Sequence, residues 1–136
     1  MPAQNSEFPW MSYYGNYRFF EEKMKSHDKI CDVKKIGEGI YKLKLSEERV
    51  IRVFICECYA FGLAEYYETV DKIGEIQAVI INSLWCGYTM EAKRHCREHR
   101  IGLFRIGEFM AALNIENYWE YLTKEDKKYF KKQGWL

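Results

Sequence analysis

Cys56, Glu57 and Cys58 lie at the end of the apolar stretch VIRVFICECY, and thiols and carboxylates are residue types that can bind metal ions. Residues i and i+2 of a β-strand point to the same face, so the two thiols would share one face and Glu57 would point to the other. Structural zinc sites usually take C-x₂₋₄-C spacing from a tight loop. The C-x-C spacing therefore predicts buried core cysteines, and a Zn²⁺ site formed by Cys56 and Cys58 is the alternative.

A second group lies in TMEAKRHCREHR, residues 89–100, which is predicted to form a helix capped by Thr89. His95 and His99 have the i, i+4 spacing of a helical metal-binding pair, but no glutamate motif of the right order adjoins them. The segment also carries the basic residues Lys93, Arg94, Arg97 and Arg100. We expect a solvated basic face, and the alternative is a patch that contacts phosphate or an acidic protein.

The C-terminal segment 115–136 interleaves lysines with aromatic residues, a pattern that can bind single-stranded nucleic acid. The same pattern is typical of an amphipathic helix that packs its aromatic side chains on the core and solvates its lysines. We expect the packed helix. Its candidate binding residues are Lys127, Lys128 and Lys131.

The chain of 136 residues has the length of one domain. Its formal net charge is +1, so no overall field favours nucleic acid or a membrane surface. No run approaches the roughly 20 apolar residues of a membrane helix, and the N-terminus lacks the pattern of a signal peptide. The five cysteines are odd in number and their spacing suggests no disulfide framework, which indicates reduced thiols and a cytoplasmic location.

Hydrophobic periodicity predicts the elements that position these side chains. Helices are predicted at residues 12–27, 62–72, 89–100 and 107–114. Strands are predicted in ICDVKKIGEG (30–39), IYKLKL (40–45), VIRVFICECY (50–59), IQAVIINS (76–83) and IGLFRI (101–106). A hairpin thus precedes strands that alternate with helices, which predicts an α/β fold with a mixed central sheet and flanking helices.

Several of these patterns resemble the restriction-endonuclease-like fold, in particular its Mrr-type branch. The run AVIINSLWCGYTMEAKRHCREHRIGLFRIGEFMAAL is similar to that family's order of strand, polar turn, aromatic–Thr pair, Ala-bearing helix, I-x-L strand and final helix. The matching residues are Ile80-Ile81-Asn82-Ser83, Tyr88-Thr89 with Ala92, and Ile101-Gly102-Leu103. The segment Gly37-Glu38-Gly39-Ile40 resembles the turn before the family's catalytic aspartate. The resemblance implies a lead-in at residues 1–11, a restriction-endonuclease-like core at 12–114, and a helical tail packed on that core at 115–136.

The resemblance also implies where a PD-(D/E)xK nuclease site would lie. The family places one acid early in the hairpin, and an acid or glutamine and a lysine two residues apart on the next strand, to hold Mg²⁺ and activate water. The alignment puts Tyr41, Cys56 and Cys58 at these three positions. None of the three supplies that chemistry, so the site is predicted to be degenerate.

A rearranged site is the alternative. A one-residue bulge could turn Glu57 into the site, and Glu22, Glu38 and Lys42 would supply the remaining acids and the base. The chain would then be a metal-dependent DNA or RNA endonuclease with Mg²⁺ as its cofactor.

We therefore predict a non-catalytic module that binds a protein or nucleic acid and needs no cofactor. A homo-oligomer stays open as an alternative, and exposed tyrosines and Trp85 are candidate anchors at an interface. The resemblance implies a setting in prokaryotic or viral defence or counter-defence, where this fold family is common.

Overall fold

The computed structural model describes residues 7–12, 14–83 and 86–136, and for residues 14–16 the backbone alone, so the candidate anchor Trp85 lies outside the described residues. The helices are Tyr14–Ser26 (α1), Leu63–Ile73 (α2), Met90–Glu98 (α3), Ile106–Ala112 (α4) and Lys124–Lys132 (α5), with a 3-10 helix at Tyr118–Glu120. The strands are Asp32–Gly37 (β1), Ile40–Lys44 (β2), Val50–Cys56 (β3), Ala60–Phe61 (β4), Ala78–Ile81 (β5), Gly87–Tyr88 (β6) and Gly102–Arg105 (β7).

Five strands form one mixed sheet in the order β1-β2-β3-β5-β7. Strands β1, β2 and β3 pair antiparallel because short turns connect them, and Tyr41 lies opposite Val53 in this register. Strands β3, β5 and β7 pair in parallel because α2 and α3 each carry the chain back across the sheet. The predicted mixed α/β architecture is confirmed, with five α-helices around a five-stranded mixed sheet in the described part of the chain.

Each face of the sheet carries its own apolar layer, because side chains alternate along the buried strands. The α1 layer lies under α1 and α4 and contains Val53 and Ile55 of β3 together with Phe20 of α1. The α2 layer lies under α2 and α3 and contains Phe54 and Cys56 of β3. Strand β5 is fully buried, as its unbroken apolar sequence predicts. The sheet thus separates two compartments, and a site formed on it belongs to one face or the other.

Strands β4 and β6 have two residues each and lie beside the main sheet. They are not predicted from the sequence. Strands β4 and β6 pair in parallel with each other, and two residues are too few to show a period. The predicted strand 50–59 is shorter in the structure, because β3 ends at Cys56. Glu57 and Cys58 therefore follow the strand and belong to the loop that leads to β4.

Helix α3 begins where the sequence predicts. The Oγ1 atom of Thr89 accepts a hydrogen bond of 3.1 Å from Ala92 N and so caps the first turn. The helix ends at Glu98, before the predicted boundary, and Arg100 adopts a left-handed φ of 61° that turns the chain toward β7.

Residues 7–12 pack against the α2 layer instead of extending as a free lead-in. Trp10 is 3% exposed, and its carbonyl oxygen accepts a hydrogen bond of 2.7 Å from Glu57 N. The ring of Phe8 stacks on that of Phe54 with centroids 5.6 Å apart. The earlier part of the predicted lead-in, residues 1–6, lies outside the described residues. No helix in the described ranges is long and apolar enough to cross a membrane.

Candidate functional site

The sheet separates the three positions that the resemblance assigns to a nuclease site. Tyr41 packs in the α1 layer, whereas Cys56 and Cys58 pack in the α2 layer. The β3 residues that share the face of Tyr41 are Ile51, Val53 and Ile55, and all three are buried. The expected grouping of Tyr41 with the two cysteines is therefore corrected: alternation along β3 turns Cys56 to the opposite face, and Cys58, in the loop after β3, packs in the same layer as Cys56.

Tyr41 is held by a carboxylate of α1. Its hydroxyl donates a hydrogen bond of 2.6 Å to Glu21 Oε2, and its ring packs against Phe20 with centroids 5.1 Å apart. Burial, and then the hydrogen bond to Glu21, raise the pKa of Tyr41 well above its ordinary value. Tyr41 is thus a neutral hydrogen-bond donor inside an apolar layer, where a nuclease would need an ionised carboxylate.

A polar cleft of about 390 Å³ opens between α1 and β1. It is lined by Tyr17, Arg18, Glu21, Glu22, Lys25 and Lys35. The Tyr17 hydroxyl accepts a hydrogen bond of 3.0 Å from Ser12 N. Burial raises the pKa of Tyr17, the hydrogen bond from Ser12 opposes this rise, and the charges of Glu38 and Glu57 add to it. Acidic and basic side chains alternate around the cleft, so it offers no concentrated charge of one sign.

The residues of the alternative nuclease site are not grouped. Glu57 is 4% exposed just after β3, whereas Glu22 on α1 and Glu38 in the turn between β1 and β2 are exposed. Lys42 is exposed on β2 and follows Tyr41, so it points away from the α1 layer. In residues 7–12, 14–83 and 86–136, no three His, Cys, Asp or Glu side chains lie close enough together to hold a metal ion.

Four of the five cysteines are buried, as the sequence predicts, and Cys31 is exposed. Burial raises the pKa of Cys58 and of Cys96 to about 12, and it also raises the pKa of Cys56. The Cys86 thiol donates a hydrogen bond of 3.4 Å to the carbonyl oxygen of Glu57. Thiols with raised pKa values stay protonated near neutral pH, and protonated thiols are poor nucleophiles and poor metal ligands.

Lys93 does not lie on the basic face predicted for residues 89–100. It is 1% exposed, and its Nζ atom donates a hydrogen bond of 2.6 Å to the carbonyl oxygen of Leu103. The Nζ atom also lies 3.9 Å from the centroid of the Phe104 ring. Burial lowers the pKa of Lys93 to about 8, although the charges of Asp126 and Glu108 oppose this shift. Lys93 is therefore removed from the candidate binding residues.

A polar cluster of the buried Lys93 and Asp126 and the partly buried Tyr88 and Glu108 joins β6, α3, α4 and α5. The Tyr88 hydroxyl lies 2.9 Å from Glu108 Oε1 and 3.1 Å from Asp126 Oδ2. Its single proton is shared between these two carboxylates. Burial, followed by the charges of the two carboxylates, raises the pKa of Tyr88. Sequence reasoning missed the cluster because its members lie far apart in the chain. The one local indication is the spacing of Asp126 and Phe130, which places both on the inner face of α5.

The other predicted basic residues lie at the surface of α3 and α5. Arg94 forms an ion pair of 3.0 Å with Glu98, and its guanidinium carbon lies 4.6 Å from the centroid of the Trp135 ring. Arg97 donates a hydrogen bond of 3.2 Å to the carbonyl oxygen of Glu120. The exposed members of the group are Arg94, Arg100, Lys127, Lys128 and Lys131. The contact between Arg94 and Trp135 makes these residues one surface, the α3–α5 surface.

Comparison of the chain with protein-family models, with curated proteins and with solved structures finds no match.

Proposed function

We propose that the protein is a non-catalytic binding module with a restriction-endonuclease-like core. One observation carries the proposal: Tyr41 is hydrogen-bonded to Glu21, and the β3 residues on its face are the apolar, buried Ile51, Val53 and Ile55. A magnesium nuclease of that family needs carboxylates and a lysine there. The antiparallel order β1-β2-β3, followed by parallel β5 and β7, is what the resemblance leads one to expect and supports the assignment of the core.

We propose nucleic acid as the ligand class and the α3–α5 surface as its binding surface. Helix α5 carries five of the 21 basic residues and two of the 20 acidic residues, which leaves 16 basic and 18 acidic residues in the rest of the chain. One of the two acids, Asp126, is buried in the polar cluster. Positive charge is thus concentrated on one surface of an almost neutral chain, and such a surface favours phosphate groups.

A cleavage assay separates this proposal from a rearranged endonuclease. Plasmid and single-stranded DNA are incubated with the protein and Mg²⁺, and we expect no cleavage. The proposal is contradicted if the wild type cleaves DNA and Glu57→Gln abolishes this cleavage. Glu47→Gln, at an exposed position of the hairpin loop, is the control and should keep it. A metal-dependent endonuclease that uses Glu22, Glu38, Glu57 and Lys42 would then replace the proposal.

Binding is tested by electrophoretic mobility shift at increasing salt concentration. The wild-type shift should weaken with salt, because contacts with phosphate release counterions. The triple variant K127E/K128E/K131E should reduce the slope of log affinity against log salt by about 2–3, since each phosphate contact contributes roughly 0.9.

The matched control is K29E/K34E/K42E, which makes the same charge change at exposed positions near the opposite edge of the sheet. The control should keep most of the affinity. If both triple variants lose the same affinity, the nucleic acid is attracted by the net charge of the protein and not by the α3–α5 surface. No shift with the wild-type protein would point to a protein partner, including a second copy of this chain.

A further inference from the structure

Two imidazoles and a phenol meet on the outer side of α2 and α3. His95 on α3 and His99, directly after α3, lie one helical turn apart with ring centroids separated by 4.2 Å and ring planes at 31°. Tyr67 of α2 brings its hydroxyl to 3.4 Å from His95 Nε2. Tyr66 packs edge-on against His95 with centroids 5.3 Å apart and so limits how far that imidazole can turn. Three potential ligand atoms from two segments thus lie in one small region.

Hydrogen bonding leaves the Nε2 atom of His99 able to bind a cation. The Nδ1 atom of His99 lies 2.8 Å from the carbonyl oxygen of His95, and a carbonyl can only accept. Nδ1 therefore carries the proton and Nε2 carries the lone pair. Metal-binding histidines commonly have this arrangement, in which the second ring nitrogen donates to a carbonyl or a carboxylate.

His95 is available to the same ion. The Tyr67 hydroxyl can donate to the lone pair of His95 Nε2 across 3.4 Å, and an ion that binds this nitrogen displaces that hydrogen bond. A neutral imidazole is the form that binds metal ions.

We propose that His95 and His99 chelate one divalent transition-metal ion, Zn²⁺ or Cu²⁺, with Tyr67 beside the open coordination positions. Imidazole nitrogen suits both ions. Two nitrogens on one tetrahedral Zn²⁺ lie about 3.3 Å apart, because each Zn–N bond is about 2.0–2.1 Å long. Rings with centroids 4.2 Å apart are close enough together for both imidazoles to approach one ion. Water completes the coordination, so the site stays open to a further ligand, as catalytic zinc sites do.

Calorimetric titration of the full chain with Zn²⁺, and separately with Cu²⁺, tests the site. His95→Gln and His99→Gln should each weaken binding at least about tenfold, since even the loss of an outer-shell partner weakens metal binding by roughly 10–100-fold. Tyr67→Phe should weaken it less than either histidine change. In ¹H–¹⁵N spectra of the wild-type imidazoles, Zn²⁺ should shift His95 and His99 and leave His27 unmoved.

The third histidine of the chain is the matched control, because His27 Nε2 is already hydrogen-bonded at 2.9 Å to the carbonyl oxygen of Met110. His27→Gln should keep the wild-type affinity, and so should Cys31→Ser, which removes the exposed thiol. Circular dichroism verifies that each variant is folded. The proposal fails if neither ion binds, if His95→Gln and His99→Gln bind as tightly as the wild type, or if His27 or Cys31 accounts for the affinity.

Discussion

Tyr41 and Lys93 enter the apolar layers of this protein together with hydrogen-bonding partners. Tyr41 donates to Glu21, and the Lys93 ammonium donates to the Leu103 carbonyl with Asp126 close by. A buried polar group without such a partner would destabilise the fold by roughly 1–3 kcal/mol. A buried lysine beside carboxylates can also belong to an active site. Here the cluster lies beneath α5, so we interpret its contacts as structural.

Tyr41→Phe tests this interpretation for a single hydrogen bond. The change removes the hydroxyl and leaves the ring, and we expect the free energy of unfolding to fall by about 1 kcal/mol, the usual net value of one hydrogen bond. Glu21 is partly exposed, so water can replace the lost donor. The measurement is equilibrium unfolding in urea. Glu22→Gln, at the exposed neighbouring position, is the control and should change stability by less than about 0.5 kcal/mol.

Lys93 should give stability an unusual dependence on pH. Its pKa is lowered from 10.5 to about 8 by burial, so between these values the unfolded chain binds more protons at this residue than the folded chain does. The contribution of Lys93 to the free energy of unfolding therefore rises by about 2 kcal/mol from pH 8 to pH 10.

The measurement is the difference in free energy of unfolding between the wild type and Lys93→Met at several pH values. The contributions of the other titrating groups to the pH dependence largely cancel in this difference. The wild type should gain stability relative to the variant as pH rises. A difference that does not change with pH would contradict the lowered pKa.

Sequence predicted the faces of β3 but not the burial of Lys93. Alternation from Ile51 to Cys56 gives the two layers directly, because a strand has a fixed period of two. Lys93 was expected in water with its basic neighbours, since isolated charges are rarely buried. Its burial depends on α4 and α5, which follow later in the chain, and no local pattern reveals that contact.

At the scale of elements, the turn between β1 and β2 determines how the hairpin meets β3. Gly39 has φ of 70°, and its carbonyl oxygen accepts a hydrogen bond of 2.7 Å from Ile55 N. A Cβ atom at this position would lie 2.7 Å from the carbonyl oxygen of Ile55. The turn thus needs glycine both for its backbone conformation and for its close approach to β3.

Gly39→Ala should therefore lower the free energy of unfolding by about 2 kcal/mol. Alanine is strained in the left-handed conformation, and its Cβ atom must displace the neighbouring backbone. Gly107→Ala is the matched control, because Gly107 lies in α4 with open space where a Cβ would be. The control should raise stability by about 0.5–1 kcal/mol through helix propensity. Both are measured by thermal and urea unfolding. Equal effects of the two changes would contradict the constraint on the turn.

The same turn explains why the candidate nuclease site could not be located from sequence. The helical period of α3 and the unbroken apolar run of β5 predict these two elements, because both patterns agree with the burial of the residues. Register between neighbouring strands depends on the geometry of the turn, and in the structure Tyr41 lies opposite Val53. A sequence alignment that places Tyr41, Cys56 and Cys58 in one site has no access to this register, and a shift by one residue exchanges the two faces of a strand.

At the scale of the whole molecule, stability should decrease from the centre of the sheet to its β1 edge. Strand β5 lies between β3 and β7 and is buried on both faces, whereas β1 is an edge strand that is largely exposed. Lys34 and Lys35 on β1 also discourage pairing with another chain.

Amide hydrogen exchange followed by NMR measures this gradient. The amides of Val79 and Ile80 in β5 should exchange only when the whole protein unfolds, and those of Lys34 and Lys35 in β1 should exchange faster through local opening. A substitution that raises the free energy of unfolding should slow the exchange of the β5 amides in proportion. It should not slow the exchange of the β1 amides. Equal protection of the two strands would contradict the gradient.

Cys31 is the exposed member of the five cysteines, and it directly precedes the edge strand β1. A maleimide dye should consequently attach to the folded protein at one defined atom without any engineered residue. The other four sulfur atoms should react only after the layers that cover them separate. The average number of dye molecules bound per chain then measures the fraction of the protein that has unfolded. The natural cysteines of this chain therefore report its unfolding.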